Sequence, residues 1–437
     1  MGWSSWGKVQ MGMVIGQALQ DTSYFQTQLP NFNNQGVSYM NLDANGSWSD
    51  SQWQQYITTV HGQGQKAGIY WTPWIWWNGD NPPTQSDLSN LVEGSNYTYG
   101  DIVMRDPYGN PLRSWDGGYA LDPTHPGTLQ RVDFYYLKFS TVGFDSIKFD
   151  FLSHGIAEGG SNNGAHYVST VQTGVQAYNY GMAYLAKKFG ATMYMDESIA
   201  PIFPYQYAHA RRVSCDTFGG IGSPTVNSGG TTSYEMNSAS YGWWLAGRLY
   251  NFNDPDQIVM EGFTTNENKS RVTSTAIQGY MIDGDDLTDS VAPALAQKWL
   301  TNPSVNGLSA LKLNFRPVDG GTGNFAAPVL VAQSGNTYYL AVFNYDPNNP
   351  LVQSIDLGHA GLSSTSSYTV TDLWTGNKAE ASGSLNVNLG AAESTIYKTA
   401  VTQPAGTAIC CARDLLAPHT PCFRADGSRR LPVPRYP

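Results

Sequence analysis

Five carboxylates recur at one kind of place in this chain: Asp43, Asp122, Asp150, Glu197 and Asp216 each close a short apolar run. The runs cover residues 1–6, 37–43, 67–74, 118–122, 144–150, 192–197, 212–216 and 280–284. Helix-patterned stretches separate them, among them 51–63, 127–141, 165–189 and 232–249. Eight strands alternating with helices in one unit predict a (β/α)8 TIM barrel over residues 1–306. In such a barrel the C-terminal strand ends form the functional face, so the five acids are expected in one bowl. A dinucleotide-binding sheet is the competing α/β arrangement, but no glycine fingerprint follows the first run.

Two strand ends carry more than an acid. In Lys148-Phe149-Asp150, residues two apart share a face, so Lys148 and Asp150 point together into the barrel mouth while Phe149 packs outward. A carboxylate beside an ammonium favours its charged form, which a glycoside nucleophile requires. In Arg212-Val213-Ser214-Cys215-Asp216, even spacing is expected to keep Arg212 and Asp216 on one face. Alone, either motif reads as an ion pair at the rim. Together they supply the two carboxyls that flank a sugar's anomeric carbon in a retaining glycosidase, roughly 5–5.5 Å apart. The numbering of the runs places Asp150 on the fifth stave and Asp216 on the seventh. Asp43, Lys148, Glu197 and Arg212 are candidates for gripping hydroxyls, and Trp3, Trp6, Trp71, Trp74, Trp76 and Trp77 for stacking planes. For any one of these Trp the plainer reading is core packing.

Past residue 307 the texture changes to short alternating runs at 329–334, 338–344, 353–356, 368–372 and 394–399, separated by turn residues such as Asp346-Pro347-Asn348-Asn349-Pro350. This predicts an antiparallel β-sandwich over 307–400. Residues 401–437 are rich in Pro and Arg without periodicity and read as a disordered tail. Only 13% of residues are charged and another 13% are aromatic, a balance suited to neutral polyols. The formal net charge of −10 argues against a nucleic-acid partner, and no apolar run is long enough to span a membrane. No phosphate loop or ligand cluster appears among the 7 His, so neither a cofactor nor a metal is expected. Cys215 stands alone, while Cys410, Cys411 and Cys422 form neither a disulfide framework nor a zinc spacing. Sequons at Asn45, Asn96 and Asn268 fit an exported glycoprotein, whose leader would lie outside this sequence.

Read in order, several segments resemble glycoside hydrolase family 27, the α-galactosidase-like family. Met1-Gly2-Trp3-Ser4-Ser5-Trp6 is similar to its opening strand, Tyr39-Met40-Asn41-Leu42-Asp43 to its second-strand acid motif, and Lys66-Ala67-Gly68-Ile69-Tyr70 to its third strand. Gly143 to Asp150 resembles its nucleophile strand, Arg212 to Asp216 its acid/base motif, and Asn253-Asp254-Pro255-Asp256 a stretch that follows its seventh strand. Tyr368 to Gly376 resembles a strand of its sandwich, so the likeness covers roughly residues 1–400. It implies retaining hydrolysis of a terminal α-D-galactoside, with Asp150 as nucleophile and Asp216 as acid/base. It further implies that Asp43 and Lys148 bind ring hydroxyls, that Tyr70 and Trp3 line the pocket, and that Glu197 and Arg212 hold the 2-hydroxyl side. The sequence departs from the family where a second acid would follow Asp43, for Ala44 stands there, and at Glu197-Ser198-Ile199-Ala200-Pro201. Those departures leave open the same mechanism on an α-N-acetylgalactosaminide, a β-L-arabinopyranoside or an isomaltose unit. A catalytically silent carbohydrate-binding protein is the rival from another class.

Overall fold

In the computed structural model, residues 1–43, 48–159, 166–225, 229–319 and 325–402 are described. Short parallel strands β1 (Gly2–Ser4), β2 (Tyr39–Leu42), β3 (Lys66–Trp71), β4 (Ser146–Phe149), β5 (Tyr194–Glu197), β6 (Ala210–Arg212), β7 (Phe252–Asp254) and β8 (Ile282–Asp283) form one curled sheet in the order β8-β1-β2-β3-β4-β5-β6-β7. A parallel bridge between Ile258 and Asp283 joins the segment after β7 to β8 and rounds the sheet into a barrel. Helices α1 (Ile15–Gln28), α2 (Asp50–Gly62), α3 (Pro126–Val142), α4 (Gly174–Phe189), α5 (Thr232–Tyr241) and α6 (Thr265–Gln278) cross between strands. Local chemistry fixes their ends. Ser49 with Gln52, Thr173 with Gln176 and Thr264 with Glu267 form capping boxes, and Gly143 and Gly279 end α3 and α6 with φ of 107° and 74°.

Two strand expectations are corrected. The run 118–122 lies outside the barrel: Tyr119–Ala120 pairs antiparallel with Ile75–Trp76 in a small ribbon. That ribbon belongs to an insert between β3 and α3 with its own apolar cluster of Trp76, Val92, Tyr99, Ile102 and Tyr119. The true seventh strand is Phe252–Asp254, which the sequence disguises as a turn because Pro255 follows it at once. Asp150 therefore follows the fourth stave and Asp216 lies in the loop after the sixth, not on the fifth and seventh.

The second layer system also matches expectation. Strands β9 (Arg316–Pro317), β10 (Val329–Ser334), β11 (Thr337–Phe343), β12 (Leu351–Asp356), β13 (Ser367–Asp372), β14 (Lys378–Ser382), β15 (Ser384–Leu389) and β16 (Ser394–Val401) form an antiparallel sheet in the order β9-β10-β11-β16-β13-β14-β15-β12. It folds over where β14 and β15 share the single pair Ser382–Ser384, and Val331, Leu340, Val342, Ile355, Val387 and Leu389 fill the inside. Helix α6 is buried between barrel and sandwich although its sequence is polar, and side-chain bonds across the junction meet its polar groups. Lys269 pairs with Glu393 at 2.8 Å, the Ser270 hydroxyl donates to the Ala392 carbonyl, and Trp374 Nε1 donates to Thr273. The tail expected from residue 401 is corrected at its start, where Val401 ends β16; residues 403–437, with their three Cys, lie outside the described residues.

Candidate active site

Strand register decides which side chains reach the barrel interior. Tyr70, Lys148, Asp196, Ala210 and Phe252 are successive neighbours across β3 to β7, and Arg212 aligns with Asp254 one step nearer the rim. Alternation places Trp71, Phe149 and Glu197 on the opposite, helix-facing side. Phe149 indeed packs there against Phe189 and Trp71.

The centre of the rim is Lys148. Its Nζ lies 2.9 Å from an Asp43 oxygen and 3.7 Å from Asp150. Burial opposes its charge, yet Asp43 and Asp150 together hold the ammonium well above its ordinary range. Asp43 is pushed up by burial, with Lys148 pulling the other way. Asp150 is buried, and its Oδ1 accepts the N–H of Phe151 at 2.8 Å, in a turn where Phe151 takes the left-handed φ of 54°. On the sixth-strand side Arg212 donates to Asp216 at 2.9 Å and to Asp256 at 2.5 Å. Burial opposes the Arg212 charge, but Asp256, Asp254, Asp216 and Asp150 keep it firmly cationic. The carboxyl of Asp216 is 58% exposed, whereas that of Asp150 is 10% exposed. The even-spacing argument for Arg212 and Asp216 fails, because only Arg212 is in the strand; a loop hydrogen bond brings them together instead. Both Asp150 and Asp216 act electrostatically on Tyr70 and on Arg212, so the pair shares one neighbourhood.

Asp43, Tyr70 and Lys148 also line a cavity of about 380 Å³ that descends from the rim into the barrel past Asn41, Ser146 and Tyr280. Asp196 and Asp254 face each other within it. Burial and then the Asp254 carboxyl push Asp196 well up.

Three sequence expectations land elsewhere. Trp3 is fully buried on the helix-facing side, with Nε1 donating to the Asp285 carbonyl, because odd positions of β1 face outward. Glu197 also faces outward: its Oε1 accepts from the Tyr250 hydroxyl at 2.6 Å, and burial lifts it to about 7. Asp122 lies beyond the insert ribbon and accepts from Thr124 and the Tyr167 N–H. Of the candidate stacking residues, Trp71, Trp74 and Trp76 are buried, and Trp77, 49% exposed, meets Phe151 edge-on at 4.8 Å. Ala44 and the Asn45 sequon fall outside the described residues. Asn268 is buried in α6 and cannot carry a glycan in the folded chain, while Asn96 is exposed. Sequence reasoning gave no role to Asp254 and Asp256. The signal was present in Asn253-Asp254-Pro255-Asp256, where Asp256, at a positive φ of 69°, turns its carboxylate onto Arg212 and the Thr217 N–H.

Residues 327–399 match the family model of the alpha galactosidase C-terminal beta sandwich domain. A β-L-arabinopyranosidase of glycoside hydrolase family 27 from Geobacillus stearothermophilus superposes with a TM-score of 0.67 at 17% identity, over 91% of this chain and 96% of that one. Alpha-galactosidase I from Mortierella vinacea superposes at 0.63 with 15% identity, over 91% and 96%. An isomalto-dextranase from Arthrobacter globiformis, in complex with panose, superposes at 0.60 with 15% identity, over 92% and 72%. No curated protein matches at the level of sequence. The chain thus has the glycoside hydrolase family 27 fold that its motifs resemble.

Proposed function

We propose that this chain is a retaining glycoside hydrolase that releases terminal α-D-galactose from galacto-oligosaccharides or galactosylated polysaccharides. The observation that carries the reading is a pair of aspartates in unlike settings: Asp150 enclosed beside Lys148, and Asp216 open to solvent beside Arg212. In the first displacement an Asp150 oxygen attacks the anomeric carbon as the glycosidic bond breaks, and Asp216 delivers a proton to the departing oxygen. Asp216 then removes a proton from water, which attacks the same carbon, breaks the bond to Asp150 and restores both groups with net retention. The exposure of Asp216 suits a group that meets both leaving group and water. Lys148 offsets the charge of Asp43 and Asp150, and with Asp43 and Tyr70 offers donors and acceptors to ring hydroxyls. Export, with a glycan at Asn96, accompanies this reading.

A second substrate has a specific observation in its favour. β-L-arabinopyranose is α-D-galactopyranose without its hydroxymethyl arm, and Ala44 replaces the second acid of the family's second-strand motif. The Geobacillus structure is a β-L-arabinopyranosidase. Matched 4-nitrophenyl glycosides of both sugars and of α-D-glucose, with the first-formed anomer read by proton NMR, decide between them. Fastest release from the galactoside, with retained configuration, is the expected result. Inverted product, or no turnover of any of the three, overturns the proposal.

A further inference from the structure

We propose that the turn Ser114–Gly118 and the neighbouring Trp77 form a leaving-group subsite, where Trp115 stacks on a sugar ring of the oligosaccharide beyond the bond being cut. This inference rests on the proposed glycosidase reading and specifies the side of the substrate that the rim acids do not touch.

A continuous series of contacts leads outward from the nucleophile. Asp150 is bonded to the Phe151 N–H, and the Phe151 ring meets Trp77 edge-on at 4.8 Å. Trp77 and Ile75 in turn pack against Gly118, where a Cβ would stand 2.0 Å from Ile75 and 3.4 Å from Trp77, so only glycine lets the turn seat this closely. Three residues before Gly118, Trp115 projects from that turn at 92% exposure. Its indole is therefore open to solvent on a turn that His154 ties to the residue after Asp150.

The turn itself is held rigidly. Ser114 N–H donates to the Gly118 carbonyl, and Gly117 N–H to the Ser114 carbonyl. Asp116 accepts the N–H of Gly118 and the Ser114 hydroxyl. His154, buried beneath, bridges the two sides of the site. Its Nδ1–H donates to the Phe151 carbonyl at 3.0 Å, while Nε2 faces Ser114 at 2.6 Å and Asp116 at 3.2 Å. The same imidazole thus ties the residue after Asp150 to the base of the Trp115 turn. A flat apolar face on a fixed turn, joined to the rim of a sugar site, fits the C–H face of a neutral pyranose at little entropic cost. The occupant is the carbohydrate chain continuing from the scissile bond.

The test compares wild type with Trp115→Ala and Trp115→Phe on 4-nitrophenyl α-D-galactopyranoside and on a galactomannan-derived oligosaccharide. The expected result is a loss of about tenfold in kcat/KM on the oligosaccharide for Trp115→Ala, carried by KM, with the aryl glycoside unaffected and Trp115→Phe close to wild type. Equal loss on both substrates, or none on the oligosaccharide, overturns the inference. Native electrophoresis in gels containing galactomannan or dextran reads the same site without turnover. Retardation of wild type that Trp115→Ala abolishes supports the subsite even if neither substrate is cleaved, whereas identical migration of the two proteins refutes it.

Discussion

Asp21 offers the sharpest physical test of how this barrel is balanced. It lies on α1, fully buried, between the helix and the back of β8. Its Oδ1 accepts the Leu287 N–H at 2.9 Å, but its Oδ2 has no partner among the described residues. The charged groups nearby are Asp286 and Asp283, both acids. Burial first, and then repulsion from Asp286, push Asp21 up to about 8. In the unfolded chain the same group titrates near ~3.9. Between those two values the folded protein holds one more proton than the unfolded one, so stability falls as pH rises through that window and levels off above it. A displacement of about four units corresponds to a cost on the order of 5 kcal/mol above pH ~8, a large share of a typical domain's stability. Asp21→Asn preserves the acceptor for Leu287 and replaces the orphan oxygen with a donor. Thermal unfolding from pH 5 to pH 9 should therefore cost wild type roughly 5–10 °C more than the variant. Parallel loss in the two proteins would show that Asp21 is not the uncompensated group inferred here.

Removing the rim cation should expose what it offsets: Lys148→Met leaves Asp43 and Asp150 facing each other and should lower kcat at least about 100-fold in steady-state assays. Glu197→Gln should leave kcat/KM within about threefold of wild type, since the side chain bonds Tyr250 outside the barrel; a loss confined to substrates bearing a 2-hydroxyl would reverse that placement. Trp374→Ala removes the indole that meets Trp299 and Thr273 between sandwich and barrel, and should cost about 3 kcal/mol in chemical denaturation while sparing kcat.

Much of this architecture was legible because its strongest signals are periodic or punctuated. Lys148 and Phe149 take the faces that alternation gives them, since β4 is a regular buried strand flanked by regular helices, and Asp150 follows at its end. The seventh strand was not legible. Three residues ending in Asp254-Pro255 carry turn chemistry, and the barrel's closure imposes the strand from outside. The run at 118–122 has the opposite history: its composition is that of a strand, but its partner is the insert's own Ile75–Trp76. Trp3 and Glu197 were misassigned because position in a motif says nothing about which face of a three- or four-residue strand a side chain takes. A shift of one residue reverses it. Asp256 was hidden for a related reason, as its reach to Arg212 depends on a left-handed backbone that no pattern announces.

The central claim is that Asp150 becomes covalently bonded to the sugar. A 2-deoxy-2-fluoro galactosyl donor with a good leaving group slows the second displacement more than the first, so the intermediate accumulates. Peptide mass spectrometry of the inactivated protein should place one fluorosugar on the peptide carrying Asp150, with none on an Asp150→Asn variant. A label on any other carboxylate, or steady turnover in that variant, would contradict the account.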